Sequence, residues 1–314
     1  MTAVDVHAHY VPDFYREALI AAGHSQPDGI KAIPGWSEAA ALSTMDRLGV
    51  RTSMLSISTP GVHFGDDAKA AELARLVNEE AARLRDAHPG RFGFFASLPL
   101  PDVDASVTEL KHSLDVLHAD GIVLETNHHG VYLGDERLEP VYAEAAARGT
   151  VVFLHPTTPD AAEHLALGYP RPMLEFMFDS TRAVTQLILS GTLERHPSLR
   201  VIVPHAGAAL PVLANRIELL LPLLAKPGTP TPDIRKALKT LHFDLAGAPV
   251  PELLGALLSV ADAAHLHYGS DFPFTPADSC VALREKLLTT DLLDDETRAG
   301  VFGRNARELF PRLA

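Results

Sequence analysis

Eight short apolar runs, most of them rich in β-branched or aromatic residues, recur along this 314-residue chain. They are TAVDV at 2–6, TSMLSIS at 52–58, FGFFASL at 92–98, GIVLE at 121–125, TVVFL at 150–154, RVIVP at 200–204, LHFDL at 241–245 and AHLHYGS at 264–270. Continuous apolar runs of this length suit strands buried on both faces, the pattern of a parallel sheet covered by helices. The segments between them carry helical signals. Residues 66–87 open with a capping aspartate, Asp66, place Leu73, Leu76, Val77, Ala81 and Leu84 on one face, and stop at His88-Pro89-Gly90. Similar patterning predicts helices over 136–148, 178–194, 208–224, 251–263 and 277–289, and His112 and His118 are also expected on a helix. Strands alternating with helices in this way predict an α/β fold, a (β/α)8 TIM barrel, which takes roughly 250 residues or more as one domain. An open doubly wound sheet is the competing arrangement, but no GxGxxG follows a strand.

Two irregular stretches interrupt the alternation. Residues 11–37, with Pro12, Pro27, Gly29, Pro34, Gly35 and Trp36, read as an insertion over the barrel mouth; 226–233 read as a surface loop. Neither is long enough for a second domain, so residues 1–314 are expected to form one barrel domain. The net charge of −13 argues against a broad basic surface for nucleic acid or anionic membrane. No run of about 18 apolar residues is available to span a bilayer, and the N-terminus lacks signal-peptide regions. The lone Cys280 cannot form an internal disulfide, which fits a reducing cytoplasm.

Active sites of such barrels lie at the C-terminal ends of the strands, so the residues there decide the chemistry. The first run ends in His7 and His9, the fifth at His155, the sixth at Val203-Pro204-His205 and the eighth at Gly269-Ser270-Asp271. In a strand, residues i and i+2 project to one side, so His7 and His9 are able to grip one ion together. Closing the barrel sets the eighth strand beside the first and Asp271 beside that pair, with His155 reaching in from the opposite wall. Three imidazoles and a carboxylate suit zinc or a similar divalent ion. His205 is then either a further ligand or an acid/base beside the ion. Each residue also has a plainer reading. HxH occurs in ordinary strands, His155 fits a strand end, Asp271 suits a turn before Pro273, and Arg216 suits a solvated helix face. His63, His128 and His129 fall in rim loops where substrate contact is open. Phe176, Met177 and Phe178 read as core packing.

The ordered set DVHAH, FLHP, VPHAGAALP and YGSDFPF resembles the amidohydrolase superfamily. More narrowly, it resembles the branch containing aminocarboxymuconate semialdehyde decarboxylase and related aromatic-acid decarboxylases. The resemblance implies that His7, His9, His155 and Asp271 hold one divalent metal, usually zinc, with manganese the alternative, and that His205 is the catalytic histidine. It also implies that Arg216, eleven residues beyond His205, binds a substrate carboxylate from a neighbouring subunit, so that a homodimer completes each site. Departures accompany it. Thr157 and Thr158 stand where the named decarboxylase has a tryptophan nearby. At the end of the fourth strand Glu125 stands where two-metal relatives carry a carbamylated lysine, so one metal is expected, with Glu125 as a conceivable bridge.

These residues predict a metal-dependent, non-oxidative decarboxylase of an aromatic or unsaturated carboxylic acid, with Asp271 and His205 managing the proton. The same site would also serve a hydrolase of a lactone or amide, or a hydratase, because the fold does not choose among them. A non-catalytic binding protein is the remaining class, and loss of ligand positions, its expected mark, is not seen.

Overall fold

The computed structural model describes residues 2–313. Eight parallel strands lie side by side in chain order: β1 (Ala3–His9), β2 (Val50–Ser56), β3 (Phe92–Ser97), β4 (Gly121–Glu125), β5 (Val151–His155), β6 (Arg200–Val203), β7 (His242–Asp244) and β8 (Leu266–His267). The chain just beyond β8 closes the barrel. Ala8 bridges Phe272 in parallel, and the Val6 amide donates to the Tyr268 carbonyl at 2.9 Å. All eight expected runs therefore carry strands, in the expected order. β8 is far shorter than 264–270 because Ala263–His265 forms a helical turn and the residues after His267 meet β1 only through scattered backbone bonds.

The helix Asp67–Ala87 starts as its sequence predicts, with the Asp66 carboxylate accepting from the Lys69 amide at 3.1 Å. Leu73, Val77, Ala81 and Leu84 are buried, but Leu76 is 44 % exposed, because the buried stripe is narrower than the expected face. His118 is a second correction. The preceding helix ends at Asp115, and His118 sits at φ 54°, its carbonyl accepting from Arg85 and Arg312 rather than from a helical amide. The 11–37 stretch holds a regular helix, Asp13–Ala21, anchored by buried Tyr15 and Leu19, whereas 226–233 are irregular and mostly exposed.

One apolar layer joins strands to helices; a second fills the barrel interior. The interior holds Val4, Val6, Met54, Phe95, Phe153 and Ile202, closed off by Ala306 and Phe310 near the C-terminus, and the Phe95 and Phe153 rings stack at 5.1 Å. With the interior filled by hydrocarbon, polar side chains find room at the C-terminal rim. β1 has an irregularity that serves this rim. Its register with β2 shifts between Asp5 and Ala8. Val6 packs in the interior, and the next residue, His7, also lies against the interior Phe153, ring to ring at 4.9 Å. Strict alternation forbids two successive inward residues; a bulge permits them.

Candidate metal centre

The rim gathers four of the expected residues at one point. His7 Nε2 and His9 Nε2 are 3.1 Å apart, and Asp271 Oδ1 lies 3.3 Å from the latter and 3.6 Å from the former. The His155 ring is 4.8 Å from that of His9 and 5.6 Å from that of His7. One ring nitrogen from each of His7, His9 and His155 lies within 4.8 Å of the other two. Two nitrogens bound to one tetrahedral ion at about 2.0–2.1 Å stand roughly 3.3 Å apart, so the spacings among His7, His9 and Asp271 fit chelation of a single divalent cation, and His155 stands close enough to approach it. Gly269 lets the closing segment approach, since a Cβ there would fall 2.8 Å from the His7 Cβ.

The remaining nitrogens are tied down, which aims the rings. His7 Nδ1 donates to Asp244 Oδ2 at 2.9 Å. His9 Nδ1 lies 3.2 Å from the Ser56 carbonyl that accepts its hydrogen, with the Ser56 hydroxyl at 3.0 Å. Carboxylate and carbonyl partners of this kind fix tautomer and ring orientation for a metal. Asp244 was not anticipated. It ends β7 inside the LHFDL run, and the only available signal was a single carboxylate at a strand end. The fold gives it three tasks: it binds His7, and its other oxygen accepts from the His205 and Ala246 amides, each at 3.0 Å.

The field at the site is strongly negative. Burial opposes a charged His7, but Asp244, with Asp271 and Asp5 behind it, pushes that imidazole up to about 9. Carboxylates that attract a proton so firmly also attract a cation. Burial also works against the Asp271 carboxylate, yet its bond to His9 and the charge of His7 hold it well below the usual range. For His9, His155 and His205, burial is the main cause of a lowered pKa, which favours the neutral imidazole a metal or a proton relay needs.

His205 stands beside the cluster, its ring 5.2 Å from that of His7 and its buried Nδ1 without a protein partner. It opens a strained turn: His205, Ala206 and Ala208 have φ of 54°, 55° and 53°, and Asp271 has 58°. Left-handed conformations in non-glycine residues cost free energy and concentrate at functional sites. Here Asp244 holds one turn by its amide bond, and the His7 carbonyl holds the other, accepting from the Asp271 amide at 2.8 Å.

A cavity of about 800 Å³ opens above, with His155, His205 and Asp271 among its lining residues. Ile30, Ile33, Met173, Phe176, Leu253 and Phe274 make much of it apolar, and Lys31 supplies a cation. Phe176 and Met177 thus line the cavity rather than pack solely in the core, and Phe178 is 45 % exposed. Glu125 faces His155 across paired positions of β4 and β5, with Oε2 3.4 Å from His155 Nδ1, and neither atom has another partner. Arg216 lies exposed on the helix Leu210–Leu224 and does not line this cavity within the chain. His63, His128 and His129 line a separate cavity.

The amidohydrolase family model matches residues 4–312. The chain is 38 % identical over 318 residues to the 6-methylsalicylic acid decarboxylase of Penicillium expansum, covering 100 % of this chain and 97 % of that protein. A solved amidohydrolase superposes with a TM-score of 0.94 at 35 % identity, over 99 % of this chain and 100 % of its own. The dihydroxybenzoic acid decarboxylase of Polaromonas sp. JS666, solved with manganese and 2-nitroresorcinol, shares the fold at a TM-score of 0.84 and 22 % identity, over 99 % and 97 % of the two chains. The strand order, the histidine cluster and this full-length match agree: the chain belongs to the amidohydrolase family.

Proposed function

We propose that this protein is a metal-dependent, non-oxidative decarboxylase of aromatic carboxylic acids. The observation that carries the reading is the cluster of His7, His9 and Asp271 at chelating distance, with the His155 imidazole beside it, beneath an apolar cavity. The full-length similarity to a 6-methylsalicylic acid decarboxylase supports it. His7, His9, His155 and Asp271 would hold the ion, zinc as first choice and manganese as second, and it supplies a Lewis acid that orients the substrate.

The chain's own residues do the rest. The apolar wall around Phe176 and Phe274 packs an aromatic ring and excludes water. Asp271 and His205 manage the proton, which is delivered to the ring carbon that bears the carboxylate. That protonation breaks conjugation; the carbon–carbon bond to the carboxylate then breaks, its electron pair restores the ring, and carbon dioxide leaves. One proton is consumed per turnover. Asp244 keeps His7 and the backbone of His205 in register while this occurs.

A homodimer and a cytoplasmic setting belong to the same proposal. Val212, Leu219 and Leu223 flank Arg216 on its helix and are about two-thirds exposed, an apolar face suited to a second copy that would bring Arg216 to a neighbouring cavity. The single, buried Cys280 supports a reducing compartment. Among the described residues no helix is long and apolar enough to cross a membrane.

Incubating the metal-loaded protein with hydroxybenzoates and measuring released carbon dioxide tests the reading. Turnover of lactones or amides, with no carbon dioxide from any aromatic acid, would sink it. Sedimentation of wild type and Arg216→Glu tests the dimer, and a monomeric wild type with full activity would overturn it.

A further inference from the structure

Of the three clustered imidazoles, His155 alone has nothing behind its ring. Asp244 backs His7 and the Ser56 carbonyl backs His9. Among the described residues no carboxylate or carbonyl accepts a hydrogen bond from His155: its Nδ1 lies 3.4 Å from Glu125 Oε2 in a geometry that makes none, and its Nε2 has only the Ser58 hydroxyl at 3.4 Å. A ring without such backing is aimed through its own backbone.

That backbone is held by Thr126, the residue after β4. The Thr126 amide donates to the His155 carbonyl at 2.8 Å, and the Thr126 hydroxyl oxygen accepts from the Thr157 amide at 3.1 Å. Pro156, between them, has no N–H to offer, so Thr126 grips the chain on both sides of the proline. Thr157 Oγ1 in turn lies 2.7 Å from Thr59 Oγ1; Thr59 lines the cavity above the cluster and Thr157 the separate one.

A hydroxyl carries one proton, and the direction of that proton decides where its lone pairs point. The Thr126 hydroxyl donates to Asp179, a fully buried carboxylate on the helix Glu175–Leu189. Asp179 also accepts from Asn127 Nδ2 at 3.0 Å, from the Tyr132 hydroxyl and from Arg182 Nη1 at 3.2 Å. Three of the four donors lie at the rim just beyond β4, so the carboxylate holds the rim more than its own helix. The same helix places Phe176 and Met177 in the cavity lining, and its Thr181 hydroxyl accepts from the Ala209 amide at 3.0 Å, just beyond the strained turn that His205 opens.

We propose that Asp179 is a positioning residue for the metal centre. Through the Thr126 hydroxyl it sets the His155 backbone, and with it the reach of that imidazole towards an ion held by His7, His9 and Asp271. This role presupposes the metal site of the proposed function, and the wild-type protein tests that site separately.

Zinc affinity of the full chain, measured by competition against a chromophoric chelator well below the melting transition of each form, tests the role. Thr126→Val keeps the shape and removes the relay, and is expected to bind zinc about tenfold more weakly, whereas Thr126→Ser keeps the hydroxyl and stays within about twofold of wild type. A Thr126→Val affinity within about twofold of wild type overturns the role, as does an equal loss in Thr126→Ser, since neither traces to the hydroxyl. Absence of zinc binding in the wild type removes the metal site itself, and the role with it. If Thr126→Val does not fold, Asp179→Asn carries the test, because its amide turns hydrogens towards a set of donors. A loss of about threefold or more then supports the role, and an unchanged affinity overturns it.

Discussion

Two histidine groups occupy the same barrel mouth and behave differently. In one, His7 and His9 spend their outer nitrogens on Asp244 and Ser56, so the inner nitrogens converge with His155 and Asp271 on a common point. In the other, His63 spends both nitrogens locally, Nδ1 lying 2.9 Å from His129 Nε2 and Nε2 lying 2.8 Å from Asp67 Oδ1. Equal numbers of imidazoles therefore do not make equal sites. What separates the two is burial and company: His7 and His9 are fully buried, backed by the buried Asp244, and meet the Asp271 carboxylate with His155 alongside, whereas His63 leans on the exposed Asp67 and one neighbouring ring.

Removing one member from each group gives the largest contrast. His9→Ala is expected to abolish stoichiometric metal binding and to lower kcat/KM for an aromatic acid about a thousandfold, the several kcal/mol a catalytic ion supplies. His63→Ala is expected to leave metal content unchanged and activity within about twofold, as for a rim residue outside the site. Metal analysis and turnover on the two variants check this; metal loss in His63→Ala would erase the distinction.

Asp244→Asn sharpens the account of what aims the rings. The substitution keeps the shape and removes the charge behind His7, and is expected to weaken metal binding about 10- to 100-fold. Competition against a chromophoric chelator measures it, and an unchanged affinity would show that Asp244 serves the fold alone.

A third pair extends the comparison to acid stability. His242 Nδ1 lies 2.9 Å from His267 Nε2, and burial together with neighbouring histidines lowers the two to about 2 and about 3. In the unfolded chain both titrate near 6.5, so below that pH the unfolded state binds protons that the folded state refuses. Their contribution is complete above pH 6.5 and is lost on acidification, by about 1.4 kcal/mol per pH unit for each histidine. Denaturant midpoints of the metal-free protein at pH 7.5 and 5.5 should therefore fall less in His267→Leu than in wild type. An equal fall in both would remove this pair as the cause.

The smallest effect concerns the wall between the cavities. Thr59→Val deletes the hydroxyl that meets Thr157 and should cost about 1 kcal/mol, read as a lower denaturant midpoint with metal content intact. An unchanged midpoint would mean that the two threonines are not coupled.

Much of the fold was legible because buried parallel strands announce themselves as continuous apolar runs, and all eight did. The cluster at the rim was legible because each of its residues ends or follows such a run: His7 and His9 on β1, His155 on β5, His205 after β6 and Asp271 after β8. Leu76 and His118 were misplaced because helical periodicity fixes neither the width of the buried face nor the residue at which backbone bonds pass to a distant arginine. Asp244 escaped because a lone aspartate at a strand end looks like any other.

By itself, then, the sequence determined the strand order and the residue types at the rim, since both follow from local patterning of apolar and ligand-bearing side chains. Only the tertiary structure decided which nitrogens converge. The bulge in β1 turns His7 inward beside Val6. The close approach at Gly269 brings Asp271 against both histidines. The register of β4 with β5 sets Glu125 against His155. Each of these depends on contacts between residues far apart in the chain, where spacing along the sequence carries no information.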